Sequence, residues 1–291
     1  MTDPAVERDA AESASAFSHP PVEPDASAAY GEHPDQVVDF YAPRGGATGP
    51  VPLVVVLHGG AWRAPYDRGH VTPLADFLAR RGFAVANVEY RRGSSLPHQG
   101  GGAPVAGRWP ETFDDVAAAM DALPRLAAGA LPQADVRRMV VTGHSAGGHL
   151  ALWAAARHVL PEGSPWRLPA PPLLRGVVAL APIADFAVAE ELGVCGGASA
   201  QLLGGERYWD ERLPCADPAA LLPTGIATAV VQGREDIVVP EQVAEAYVAA
   251  AAKAGELVGL TLLDGVGHFP LIDPAADACA VVAEEISQLA W

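Results

Sequence analysis

The chain carries chemistry-bearing residues at four places. Ser145 stands in Val-Val-Thr-Gly-His-Ser-Ala-Gly-Gly-His (140–149), where a β-branched run ends in a Gly-x-Ser-x-Gly turn and a helical pattern starts at once. That layout is a nucleophile elbow: the turn pushes the hydroxyl out of the backbone, and the helix behind it offers unpaired N–H groups to a developing oxyanion. A serine hydroxyl needs a base to take its proton, and the base needs an acid to orient it. Asp236 ends Gly-Arg-Glu-Asp (233–236), with Glu235 as its close rival, and His268 follows two glycines in Asp-Gly-Val-Gly-His-Phe (264–269). His58-Gly59-Gly60 provides glycines whose N–H groups can approach a carbonyl oxygen. Gly60 is the preferred donor there, with Gly59 or Ala61 as neighbours, and Ala146 is expected to supply the second N–H. His58 is expected to brace that loop. Each piece has a plain structural reading on its own: a capping serine, a helix-capping aspartate, a structural histidine. Their joint occurrence in this order is what points to nucleophilic acyl chemistry.

These residues need elements to hold them. A continuous apolar run at 53–57 reads as a strand buried on both faces, and 84–90, 138–142, 174–180, 226–232 and 257–263 read as further strands. Helical spacing at 72–81, 112–123, 146–159, 241–254 and 274–289 falls between and after them. Pro124 is expected to end or kink the second of these helices. A strand is also expected over 36–41. Strands alternating with helices of ten or more residues imply an α/β fold, a mostly parallel sheet covered by helices on both faces. Two segments break the rhythm, 160–172 and 186–223. They read as small inserted roof segments, with the first equally well a plain surface insertion.

The four motifs give the chain a family likeness. His-Gly-Gly-Ala-Trp (58–62), Gly-His-Ser-Ala-Gly-Gly-His-Leu-Ala (143–151), Gly-Arg-Glu-Asp (233–236) and Gly-His-Phe (267–269) resemble the α/β-hydrolases of the esterase/lipase and kynurenine formamidase-like group, over about residues 36–291. The resemblance implies an α/β-hydrolase fold. It also implies hydrolysis of carboxylic esters, or of N-formyl aromatic amines, by Ser145, His268 and Asp236 with neither metal nor cofactor. Three functions follow as alternatives: a carboxylesterase for small or medium acyl groups, an arylformamidase cleaving N-formylkynurenine, and a ligand-binding protein on the same fold without catalysis. Trp62, Trp109 and Trp209 are candidate substrate contacts, with packing the competing role for each.

Composition narrows the partners. The net charge is −16, from 35 acids and 19 bases, which disfavours nucleic acid and anionic membranes. The expected partner is a small-molecule ester or formamide. No apolar run is long enough for a membrane span. The first 35 residues hold eight acids and one base, with five prolines. Residues 1–28 therefore read as a disordered acidic tail, dispensable for activity, ahead of a domain at 29–291. They lack the basic start and apolar run of a signal peptide. Cys195, Cys215 and Cys279 are widely spaced and odd in number, which argues against a disulfide scaffold or zinc site and suits a reducing cytoplasm.

Overall fold

The computed structural model describes residues 3–45, 49–93 and 105–291. Eight strands form one sheet: β1 (Ala26–Ala29), β2 (Val37–Tyr41), β3 (Val51–Leu57), β4 (Ala84–Val88), β5 (Ala134–His144), β6 (Gly176–Leu180), β7 (Thr228–Gly233) and β8 (Val258–Leu263). Their order is β1-β2-β4-β3-β5-β6-β7-β8. β2 runs antiparallel to β1 and β4, and every later pairing is parallel. This is the α/β-hydrolase fold.

The helices of the described residues are α1 (Pro4–Ala16), α2 (Thr72–Arg80), α3 (Glu111–Ala130), α4 (Ala146–Ala155), α5 (Phe186–Glu191), α6 (Ala198–Leu202), α7 (Trp209–Ala216), α8 (Glu241–Lys253) and α9 (Asp277–Ala290). Side chains alternate across a strand, so each central strand feeds two cores. Leu53, Val55 and Leu57 of β3 join Phe113, Leu123 and Trp153 on one face. Val54 and Val56 join Leu74, Leu78, Val282 and Ile286 on the other. Burial on both faces explains why β3 reads as an unbroken apolar run. No helix among the described residues is long and apolar enough to cross a membrane.

Pro124, expected to end or kink its helix, lies inside α3, which runs on to Ala130. The buried face continues past Pro124 through Leu126 and Ala127, and that packing outweighs a lost backbone hydrogen bond. Residues 4–16, expected to be disordered, form α1. Asp3 caps the helix by accepting from Ala5 N–H at 2.9 Å, Pro4 occupies its first turn, and Ala16 is buried in the second core with Leu271 and Ile272. Residues 186–223, expected as an inserted roof segment, carry the short helices α5 to α7.

Candidate active site

β5, β7 and β8 run parallel, with β6 between β5 and β7, so their carboxyl ends lie along one edge of the sheet, and each delivers one residue of interest. β5 runs into Ser145, which adopts φ 57° and ψ −118° before α4 begins. A non-glycine residue in that conformation is strained and must be held by its surroundings. Ser145 N–H donates to Leu180 O at 2.8 Å, and His149 N–H donates to Ser145 O at 3.1 Å. The turn closes because its neighbours lack side chains. A Cβ on Gly147 would sit 2.0 Å from Leu57 O, and one on Gly143 would sit 2.3 Å from Gly147 O.

β7 ends at Gly233, and the following turn presents Asp236, which is 5 % exposed. Its Oδ1 accepts from Val238 and Val239 N–H, both at 2.8 Å, and its Oδ2 accepts from Gln232 Nε2 at 3.2 Å. The remaining hydrogen bond goes to His268, whose Nδ1 donates to Asp236 Oδ2 at 2.6 Å. That bond places the proton on Nδ1 and leaves Nε2 as the ring's acceptor. Glu235 is half-exposed and pairs with Arg8 at 3.3 Å, so the rival carboxylate faces away from the histidine. Gln232 was missed by sequence reasoning. A glutamine within a strand carries no motif, yet its amide also donates to Gly233 O and Val239 O and so ties the turn that aims Asp236.

His144 was missed as well. Its Nε2 donates to the backbone carbonyl of His268 at 3.0 Å, with the two rings 4.3 Å apart. Burial, and then the neighbouring His268, push its pKa well below the ordinary histidine range. It is a neutral strut between the elbow and the histidine loop.

A cavity of about 250 Å³ opens over these groups. Ser145, His268, Gly60 and Ala61 line it, so the structure brings Ser145 and His268 to one space. Ser145 Oγ makes no hydrogen bond with His268 among the described residues. Gly60 has φ 103°, Ala61 φ 50° and Trp62 φ 53°. Among the described residues, Gly60, Ala61 and Ala146 N–H donate to no backbone carbonyl. Gly59 packs against the elbow instead, where a Cβ would meet His144 O at 2.8 Å. His58 braces this loop from below: its Nε2 lies 2.8 Å from Glu89 Oε1, its Nδ1 lies 2.9 Å from Gly59 O, and its carbonyl accepts from Tyr90 OH at 2.6 Å. Burial opposes ionisation of Glu89, but His58, Arg92 and the Arg68 N–H together hold its carboxyl down at about 2.

The three tryptophans do not line the cavity. Trp62 is fully buried, edge-on to His149 and Phe186. Trp109 packs with Phe113 and Trp166 under the guanidinium of Arg212. Trp209 leans on Phe186. All three are packing residues because the cores of α3, α4 and α5 take up their ring faces. The aromatic lining comes from Phe17, Tyr66, His70 and Phe269. His70 is held at about 4 by burial and by the nearby His58, and so is neutral near pH 7. Of the inserted segment 186–223, Cys195 reaches the cavity, with its carbonyl accepting from Arg63 Nη2 at 2.6 Å. Cys195, Cys215 and Cys279 are free thiols.

The model of the BD-FAE family matches residues 38–250, which include the loop at 58–62, the turn at Ser145 and Asp236. The chain belongs to the BD-FAE family. His268 lies beyond the matched stretch, on the loop after β8. Among curated proteins, this BD-FAE chain is similar to esterase LipC of Mycobacterium tuberculosis (strain ATCC 25618 / H37Rv), with 28 % identity over 149 residues. That match covers 46 % of this chain and 32 % of LipC, about a third of the curated relative's length. Solved structures share the fold at low identity. A truncated carbohydrate esterase from gut microbiota has a TM-score of 0.74 at 19 % identity, over 94 % of this chain and 99 % of that one. Esterase B of Lactobacillus Rhamnosis (HN001) has a TM-score of 0.74 at 18 % identity, over 98 % of this chain and 91 % of that one.

Proposed function

We propose that this protein is a serine hydrolase that cleaves carboxylic esters of small or medium acyl groups. The observation that carries the reading is the 2.6 Å bond from His268 to the buried Asp236 at the edge of a cavity shared with Ser145. The esterase names of LipC and of the fold neighbours support it. In this reading Ser145 Oγ attacks the ester carbonyl while His268 Nε2 takes its proton. Asp236 holds the ring and balances the imidazolium. The negative oxygen of the tetrahedral intermediate lies between Ala146 N–H and the N–H groups of Gly60 or Ala61. His268 then returns the proton to the departing alcohol, and water repeats the sequence on the acyl-enzyme. The cavity is small beside ordinary ligand sites of ~300–1,000 Å³, which supports short acyl groups.

A second reading, arylformamidase, uses the same groups. The aromatic lining by Phe17, Tyr66 and Phe269 favours testing it, since those rings would suit an aryl amide. A panel of p-nitrophenyl esters from acetate to laurate, run beside N-formylkynurenine, separates the two. Acetate or butyrate is expected to be cleaved fastest, with a chelator without effect. The Ser145→Ala variant is expected to lose at least ~10³-fold in kcat with an unchanged fold. Faster turnover of laurate contradicts the short-acyl reading. N-formylkynurenine outpacing every ester by orders of magnitude replaces the ester reading. Wild-type turnover equal to that of Ser145→Ala leaves a binding protein.

A further inference from the structure

The N-terminal helix reaches the cavity that holds Ser145 and His268. Ser13 and Phe17 line that cavity, and Phe17 lies at the end of α1. The Phe17 ring is edge-on to Phe269 at 5.4 Å and to His70 at 5.8 Å, both cavity residues themselves. It is 41 % exposed, a large ring left at a rim instead of in a core.

The helix is also tied to the loops that carry Asp236 and His268. Glu12 Oε1 accepts from Gly267 N–H at 3.1 Å, one residue before His268. Arg8 Nη2 donates to Glu235 O at 3.0 Å, one residue before Asp236. Ser15 Oγ donates to Asp273 Oδ2 at 2.6 Å, and His19 Nε2 lies 2.7 Å from Asp273 Oδ1, bracketing Phe17. Gly267 suits this approach, since a Cβ there would meet the Glu12 carboxylate at 2.1 Å. Phe17 is thus held at a set position by anchors on both sides. It has no hydrophobic core of its own to fill.

We infer that Phe17 is a specificity-determining residue: the end of α1 forms one wall of the substrate cavity, and the Phe17 ring limits the size of the group the cavity accepts. This rests on the ester-hydrolase reading above. A ring placed at the rim of a small cavity excludes the larger member of a homologous series, and relief of one such contact changes selectivity by about 10-fold to 200-fold.

The test uses the full chain with Phe17→Ala, Phe17→Leu and Phe17→Trp. Each is assayed on two series, p-nitrophenyl acetate to octanoate for the acyl side and ethyl, phenyl and 1-naphthyl acetate for the alcohol side. The ratio of kcat/KM for the largest to the smallest member is the readout. In the series that meets Phe17, the ratio is expected to rise about 10-fold or more in Phe17→Ala, to rise less in Phe17→Leu and to fall in Phe17→Trp. Because Phe17→Leu keeps an apolar contact with Phe269, it keeps the test open if the alanine variant loosens α1. Ratios unchanged in both series, with α1 still docked by hydrogen exchange, overturn the inference while leaving the hydrolase reading intact. Absence of turnover by the wild type on every ester overturns the hydrolase reading itself.

Discussion

The elbow and the N-terminal helix face the same cavity and are built by opposite means. At the elbow, backbone meets backbone: Gly143 and Gly147 sit under the loop from Leu57 to Gly59 with no room for a methyl group, and Ser145, Ala146 and His149 are buried. Position there is set by contacts that have no alternative. Helix α1 is instead held by polar ties from its side chains to the backbone at Glu235 and Gly267 and to the Asp273 carboxylate, with Ala16 as its buried apolar anchor. Two of its carboxyls, Asp9 and Glu12, are pushed up by burial, with Asp236 near each adding to the rise. Reacting atoms need a fixed frame, whereas a wall that selects substrates can tolerate adjustment.

The largest expected effect lies at the elbow. Gly147→Ala forces a Cβ to 2.0 Å from Leu57 O and 2.5 Å from His58 O, both backbone atoms. It is expected to cost more than ~4 kcal/mol and to yield little folded protein. Gly129→Ala, in α3 with open space around it, is expected to stabilise by ~0.5–1 kcal/mol. Thermal unfolding of both checks the pair, and equal behaviour removes close backbone approach as the explanation of the elbow.

An intermediate effect belongs to Glu89 and its partners beneath the loop at 58–62. Glu89 is held at about 2 against an ordinary 4.5, so its contribution to stability is complete above pH 4.5 and is lost as pH falls through 2. The stability difference between wild type and Glu89→Gln is expected to shrink by about 3 kcal/mol over that interval. A difference constant with pH contradicts the pairing with His58.

The smallest effects are expected at α1. Ser15→Ala removes one hydrogen bond to Asp273 and is expected to cost ~1 kcal/mol. The raised carboxyls add a pH dependence of opposite sign to that of Glu89. Docking is strongest when Asp9 and Glu12 are protonated, and weakens as pH rises from their ordinary 3.8 and 4.5 through the raised values. Hydrogen exchange confined to residues 4–16, corrected for intrinsic rate, is expected to report both. Equal protection of α1 and α4 at all pH values erases the contrast between the two regions.

The same contrast explains what could be read from the amino-acid order. Ser145, Asp236 and His268 each follow a strand, and the apolar runs of β5, β7 and β8 mark those strands plainly. The elbow glycines announce close approach through their spacing. Helix α1 is illegible by those signs. Its composition is charged and rich in alanine, and its partners at 235, 267, 269 and 273 lie about 250 residues away in the chain. Charge alone therefore suggested disorder where capping by Asp3 and distant ties make a helix. The tryptophans misled for a related reason: an aromatic beside a motif, such as Trp62 after Gly60, is near the site in sequence while its ring points into the core. Gln232 and His144 act by hydrogen bonds to backbone across loops, which no spacing rule reveals.

If Ser145 is the nucleophile, a covalent trap for serine hydrolases must label it. The full chain is treated with a p-nitrophenyl alkylphosphonate of short chain, and the adduct is mapped by peptide mass spectrometry. One adduct per chain is expected on Ser145, formed in step with the loss of ester turnover and absent from Ser145→Ala. An inactivated protein with Ser145 unmodified, or an adduct on another side chain such as Cys195, would contradict it.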